Sequence, residues 1–194
     1  MTITGLQPRT PMTVQLLVNG QSQADARITT LPPQLPTLEE KPFTVLLGSC
    51  FCKREDDEGA VGRTYAQLPA GSRPDVKILC GDQVYLDDPW AHYLWHTHDI
   101  PELEGEFFRN YRDTWMQEPG FRQLLTQGTN YFSPDDHEYW NNYPFKATVI
   151  QNSWTEDGRK RWRQAAEAVY RGFQENPAVG FGAPRVLDVE PLSI

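Results

Sequence analysis

Val76-Lys-Ile-Leu-Cys80, running into Gly81-Asp82-Gln-Val-Tyr85, is the stretch whose reading decides the fold. A short, mostly apolar run that stops on glycine reads as a buried strand of an α/β sheet, not as a helix. Two further runs share the pattern. Phe43-Thr-Val-Leu-Leu47 stops on Gly48-Ser-Cys50, and Thr129-Asn-Tyr-Phe132 stops on Ser133-Pro-Asp-Asp-His-Glu138. Ligands of open α/β sheets gather outside the carboxyl ends of the strands. The thiol of Cys50, the carboxylate of Asp82, the phenol of Tyr85 and the acid–imidazole group at 135–138 are therefore expected to meet on one rim. Such a donor set implies metal-dependent hydrolytic chemistry.

Composition narrows the choice. At 194 residues the chain is long enough for one domain with a real core, and 39% hydrophobic with 23% charged residues is a globular balance. A formal charge of −8 argues against nucleic acid or an anionic membrane as the main partner. The same charge would repel a phosphate ester unless bound cations reversed the local field. Three cysteines make no even disulfide framework. Cys80, inside an apolar run, reads as a buried small hydrophobe. The N-terminus shows no basic start followed by an apolar segment, and no run reaches the ~18–20 apolar residues of a membrane span. A cytoplasmic chain is expected, or an exported one if the true N-terminus lies upstream.

Working outward, residues 13–30 alternate around Asn19-Gly20, a hairpin signal, and Leu31-Pro-Pro-Gln-Leu-Pro36 reads as an extended linker. Residues 1–40 are thus expected to form a short β segment and linker, and residues 41–194 the α/β domain. Residues 52–62 read as a charged loop, with a short helix starting near residue 63. Apolar positions 103, 107, 108, 111 and 115 have helical spacing, and a second short helix follows Pro119-Gly120. Ser153-Trp-Thr-Glu156 has capping-box spacing before a long amphipathic helix that Asn176-Pro177 ends. Pro184 to Ile194 reads as a further strand. It stops on an apolar note, which points to a truncated domain.

Each motif has a defined chemical use. A carboxylate just past a glycine turn, such as Asp82, can bridge two cations, and Tyr85 three residues on can offer a phenolate to ferric iron. Asp135-Asp-His-Glu138 packs four ionisable groups among aromatics, which costs repulsion unless cations are held, and Asn141-Asn142 adds neutral carbonyl oxygens suited to calcium. Cys50 at a strand end is a plausible thiolate for a transition metal. His92 and His96 lie at i, i+4, but no His-Glu-x-x-His accompanies them. With His98 they read as surface or packing residues, as Trp90, Trp95, Trp115 and Trp162 read as core. No Gly-x-Ser-x-Gly or Walker loop is present.

In order, these motifs resemble the PhoD-like metallophosphatases, the alkaline phosphatase D and phosphodiesterase group. The resemblance rests on Ser49-Cys50, Gly81-Asp82-x-x-Tyr85 and Asp135-Asp-His-Glu138 with its trailing asparagines. Phe108-Arg-Asn-Tyr-Arg-Asp113 is similar to the family's Tyr/Arg-rich helix, and residues 13–36 look like the end of its preceding β domain. The resemblance covers about residues 40–194. It implies a metallophosphoesterase-like α/β fold, iron held by Cys50, Asp82 and Tyr85, and calcium bridged through Asp82. Asp136 and Asn141 would stand near calcium and phosphate, and His137 would support catalysis or handle a proton. It further implies a small-molecule phosphoester as substrate, attacked by metal-activated hydroxide. The family completes its site with a later aspartate and a Gly-Asp-x-His histidine. Here no histidine follows His137 and Gly-Asp occurs once, so an incomplete, C-terminally truncated domain is expected. Two competing readings are a non-catalytic remnant serving as a binding domain and a zinc hydrolase centred on residues 92–98.

Overall fold

A computed structural model of the chain describes residues 4–37, 41–88 and 99–175, together with the backbone of 188–189 and 192–193. The three apolar runs form one parallel sheet: β3 (Val45–Gly48), β4 (Val76–Cys80) and β5 (Thr129–Ser133), in the order β3-β4-β5. Register pairs Val45 with Val76 and Val76 with Thr129, so all three strands run out toward the same rim. Ahead of the sheet lies a separate antiparallel hairpin of β1 (Pro11–Val18) and β2 (Gln21–Thr29), turned by Asn19-Gly20 with both residues at positive φ. The molecule is mixed α/β, as its sequence predicts.

Four α-helices stand in the described part, besides short 3-10 turns: α1 (Ala60–Gln67), α2 (Ile100–Trp115), α3 (Phe121–Leu125) and α4 (Glu156–Phe173). Asp99 caps α2, its side chain accepting from the Glu102 N–H, with proline in the first turn. The helices gather on one sheet face. Leu79 of β4 meets Leu103, Phe107 and Tyr111 of α2 and Trp162, Ala165 and Ala166 of α4 in a single buried cluster. Trp115 and Trp162 are core residues, as expected; Trp90, Trp95, His92, His96 and His98 lie outside the described residues.

The other face is half covered. Leu31, Leu35 and Phe43 pack over Val76, but Leu47 of β3 stays 70% exposed. Parallel sheets ordinarily bury both faces. This explains one correction. Cys80 was expected to be buried and is exposed, because it sits on that second face, at the end the linker residues do not reach.

Local readings need three more corrections. Helix α1 begins at Ala60, inside the expected loop, because the Asp56 carboxylate accepts from Val61 N–H at 2.9 Å and Gly59 enters at a φ of 75°. The cap of α4 is Thr155, which accepts from Gly158 N–H. Ser153 is occupied elsewhere: its hydroxyl accepts from Ala147 N–H at 2.8 Å and donates to the Ile150 carbonyl at 2.7 Å. At the end of the chain, the single expected strand is two short ones, β6 (Asp188–Val189) and β7 (Leu192–Ser193), paired antiparallel.

Candidate metal centre

The three strand ends are laced together by backbone. Cys50 N–H donates to the Gly81 carbonyl at 3.1 Å and Phe51 N–H to the Asp82 carbonyl at 2.7 Å. Gly81 is required here, since a Cβ would sit 2.3 Å from that of Asp135 and its φ is 83°. Cys50, Asp82 and Asn142 are non-glycine residues held at φ of 59°, 56° and 64°. Each such conformation costs roughly 1–3 kcal/mol and persists only where the surroundings fix it, typically at functional sites.

Glu138 fixes much of this. It is 0% exposed and receives the N–H groups of Asp82 (2.9 Å), Gln83 (2.7 Å) and Asp135 (2.9 Å), with the Gln174 amide at 3.3 Å. One carboxylate thereby joins the loop after β4 to the loop after β5. Burial pushes its pKa up, and those donors pull it back toward the ionised form. Trp115 of α2 donates to the Gln83 carbonyl at 3.1 Å and Asn110 of α2 to the Tyr85 carbonyl at 2.9 Å, so the helix layer steadies the same loop.

Inside this frame the chemistry-bearing groups converge. Donor atoms of Asp82, Asp136 and His137 lie within 4.8 Å of one another. His137 N–H also donates to Asp82 Oδ1 at 3.2 Å, and the Cys50 thiol donates to Asp82 Oδ2 at 3.4 Å. Asp82 is only 6% exposed; its burial raises its pKa, and the hydrogen bond and charge of His137 oppose that rise. The Tyr85 ring lies tilted against that of His137, with centroids 4.2 Å apart. Burial, then the charges of Asp82 and Cys50, push its phenol well up. Asn141 is brought to the rim by its backbone, whose N–H donates to Asp87 Oδ2 at 2.7 Å. Its neighbour Asn142 donates backbone N–H to Asp136 Oδ2.

Two roles escape the sequence reading. Asp87 Oδ1 lies 2.7 Å from His137 Nδ1, which orients the imidazole and leaves Nε2 outside that bond. Burial lowers the His137 pKa, but the Asp87 hydrogen bond and the charges of Asp87, Asp82 and Asp136 outweigh it, so the net shift is upward. The clue was present: Asp87-Asp88 follows Tyr85 almost directly. Glu138 stood in the quoted motif without a structural task.

The donor set suits cations. A buried carboxylate beside a second carboxylate is unfavourable alone, and a cation between Asp82 and Asp136 would offset it. Thiol and phenol on the Cys50–Tyr85 side are donors for a softer or trivalent ion, and carboxylate with amide oxygen on the Asp136–Asn141 side suit a hard divalent one.

No curated protein and no solved structure matches the chain. The family model of the PhoD-like phosphatases matches residues 47–183, a span that contains every residue of this cluster. By that match over most of its length, the chain belongs to the PhoD-like phosphatase family.

Proposed function

We propose that this protein is a metal-dependent phosphoester hydrolase, with iron held by Cys50, Asp82 and Tyr85 and calcium by Asp82, Asp136 and Asn141. The observation that carries the reading is the convergence of Asp82, Asp136 and His137 donor atoms within 4.8 Å at the carboxyl rim of the sheet. Bound cations would supply the positive charge that draws an ester phosphate to an acidic rim, polarises its oxygens and acidifies water. The chain's own residues do the rest. Asp82 and Asp136 set the position of that charge, and the Glu138 clamp holds Asp82 in its left-handed conformation. Asp87 holds His137 at Nδ1, so that Nε2 can keep a proton for the departing alkoxide. A small-molecule phosphoester is the substrate class this arrangement favours.

The test is hydrolysis of bis(p-nitrophenyl) phosphate by the purified chain with added iron and calcium. Turnover that falls to background in Asp82→Ala is expected. Equal rates in the two proteins would overturn the reading.

A second reading, a non-catalytic binding domain, is favoured by the β3 edge, unpaired among the described residues, and by exposed Leu47. A folded chain that takes up no metal and turns over no phosphoester would select it. Among the described residues, no helix is long and apolar enough to cross a membrane.

A further inference from the structure

Asp88 is a buried carboxylate that the proposed chemistry leaves without a task. It is 5% exposed and directly follows Asp87, the acid that holds His137. Two adjacent buried carboxylates repel, and each needs its own compensation. Asp87 has the His137 ring at 2.7 Å and the Asn141 N–H at 2.7 Å. Asp88 has Arg54, whose Nη1 donates to its Oδ1 at 3.1 Å. Burial pushes the Asp88 pKa up; Arg54 is the strongest charge opposing that rise, Asp87 adds to it, and His137 opposes it in turn. Asp88 therefore stands within electrostatic reach of the imidazole that Asp87 holds.

The backbone that carries Arg54 is fixed on both sides. The residue lies in the single 3-10 turn Lys53–Glu55 that follows β3. Ahead of the turn, Phe51 stacks on Phe121 with centroids 4.1 Å apart and donates its N–H to the Asp82 carbonyl. Behind it, the Asp56 carboxylate accepts from Val61 N–H at the start of α1. From this frame the guanidinium reaches the loop after β4, so the pair ties the loops after β3 and β4 as Glu138 ties those after β4 and β5. Asp88 N–H closes the 85–88 turn on the Tyr85 carbonyl at 3.3 Å, and Leu86 N–H donates to the His137 carbonyl at 3.1 Å. A shift of Asp88 would move this turn, and the Asp87 carboxylate with it. An exposed ion pair would matter little, but loss of Arg54 strands a buried acid next to the one that orients the ring.

We propose that Arg54 is a positioning residue: it holds Asp88, and through the 85–88 turn keeps the Asp87 carboxylate on His137 Nδ1. Its effect on turnover rests on the hydrolase reading, whereas its effect on the ring does not.

The first readout therefore needs no turnover. In the metal-free chain, NMR of the imidazole nitrogens, at a pH where the rings are neutral, reports which His137 nitrogen carries the proton. The signal is assigned by its absence from His137→Gln. The parent should show the Nδ1–H form. Arg54→Lys should keep it, because an ammonium can replace a single Nη1 contact. Arg54→Met and Arg54→Gln, each checked for parent-like circular dichroism, should show a mixture of the two forms. The second readout is bis(p-nitrophenyl) phosphate kinetics with iron and calcium. Arg54→Met should lower kcat about tenfold or more and leave KM within about twofold, with Arg54→Lys recovering most of the loss. In an Asp88→Asn background, Arg54→Met should cost less than about twofold further, because the residue acts through Asp88. An unchanged Nδ1–H signal in both neutral variants would overturn the proposal. So would a loss confined to KM, which would place Arg54 on the substrate. No turnover in the parent, with the NMR difference intact, would count against the hydrolase reading alone.

Discussion

Asp82 and Lys77 stand on the same strand region and meet burial in opposite ways. At the carboxyl end, Asp82 is 6% exposed beside Asp136 and His137, a concentration of donors that asks for a cation. At the amino end, Lys77 is 0% exposed; its ammonium donates to the Gln127 carbonyl and lies 5.6 Å from the Tyr65 ring centroid, with no acid paired to it among the described residues. Burial lowers its pKa to about 8. The acidic end is braced by a dedicated carboxylate, Glu138, which ties two loops. The basic end has no such brace, and burial there only loosens the hold on the proton. The comparison teaches that the rim is built to keep its charges in place, whereas the base tolerates losing one.

The brace is where the comparison breaks most readily. Glu138→Ala leaves two buried N–H groups, those of Asp82 and Gln83, without an acceptor at about 1–3 kcal/mol each, and frees the half-buried one of Asp135 as well. A loss of several kcal/mol in denaturant unfolding is expected, or failure to fold. Glu138→Gln should fold better but bind metal about 10- to 100-fold more weakly. Unchanged stability in the alanine variant would mean the clamp is incidental.

At the basic end the pH dependence has a definite sign. The folded pKa of Lys77 lies below the ordinary 10.5, so the unfolded chain binds the extra proton between pH 8 and 10.5. Its contribution to stability is therefore present above 10.5 and is lost as pH falls through about 8. Lys77→Met removes this titration. The variant's advantage over the parent should be largest below pH 8 and shrink toward 10.5 in paired unfolding curves. A difference flat across that window would contradict the assignment.

Asp87→Asn probes orientation at the acidic rim without emptying it. The expected loss is about 10- to 100-fold in phosphodiester turnover with the melting temperature nearly kept. Full activity would remove Asp87 from the account. The smallest effect is expected at Leu47→Lys, on the uncovered face: within about 0.5 kcal/mol of the parent, because 70% of the residue already faces solvent. A larger loss would show that this face is covered in solution, which is what the binding-domain reading requires.

Much of this was legible in the sequence because the signals were local. Gly81 needed only a tight turn to carry Asp82 past the strand end, and the 103–115 periodicity placed α2 within three residues at its start. What stayed hidden depended on partners far along the chain. The inward turn of Glu138 rests on N–H groups 55 and 56 residues away. Ser153 lost its expected cap to contacts with Ala147 and Ile150, while Thr155, two residues on, took the role. Exposure of Cys80 turned on which part of the second sheet face Leu31 and Leu35 reach, a matter no run of apolar residues can report.

At the centre stands the proposal that the rim around Asp82 and Asp136 holds metal. Its most direct test is elemental analysis of the chain after incubation with iron and calcium and exhaustive desalting, beside Asp82→Ala of verified fold. The account predicts both metals retained by the parent and lost from the variant. Equal metal in the two proteins, or none in either, would contradict it.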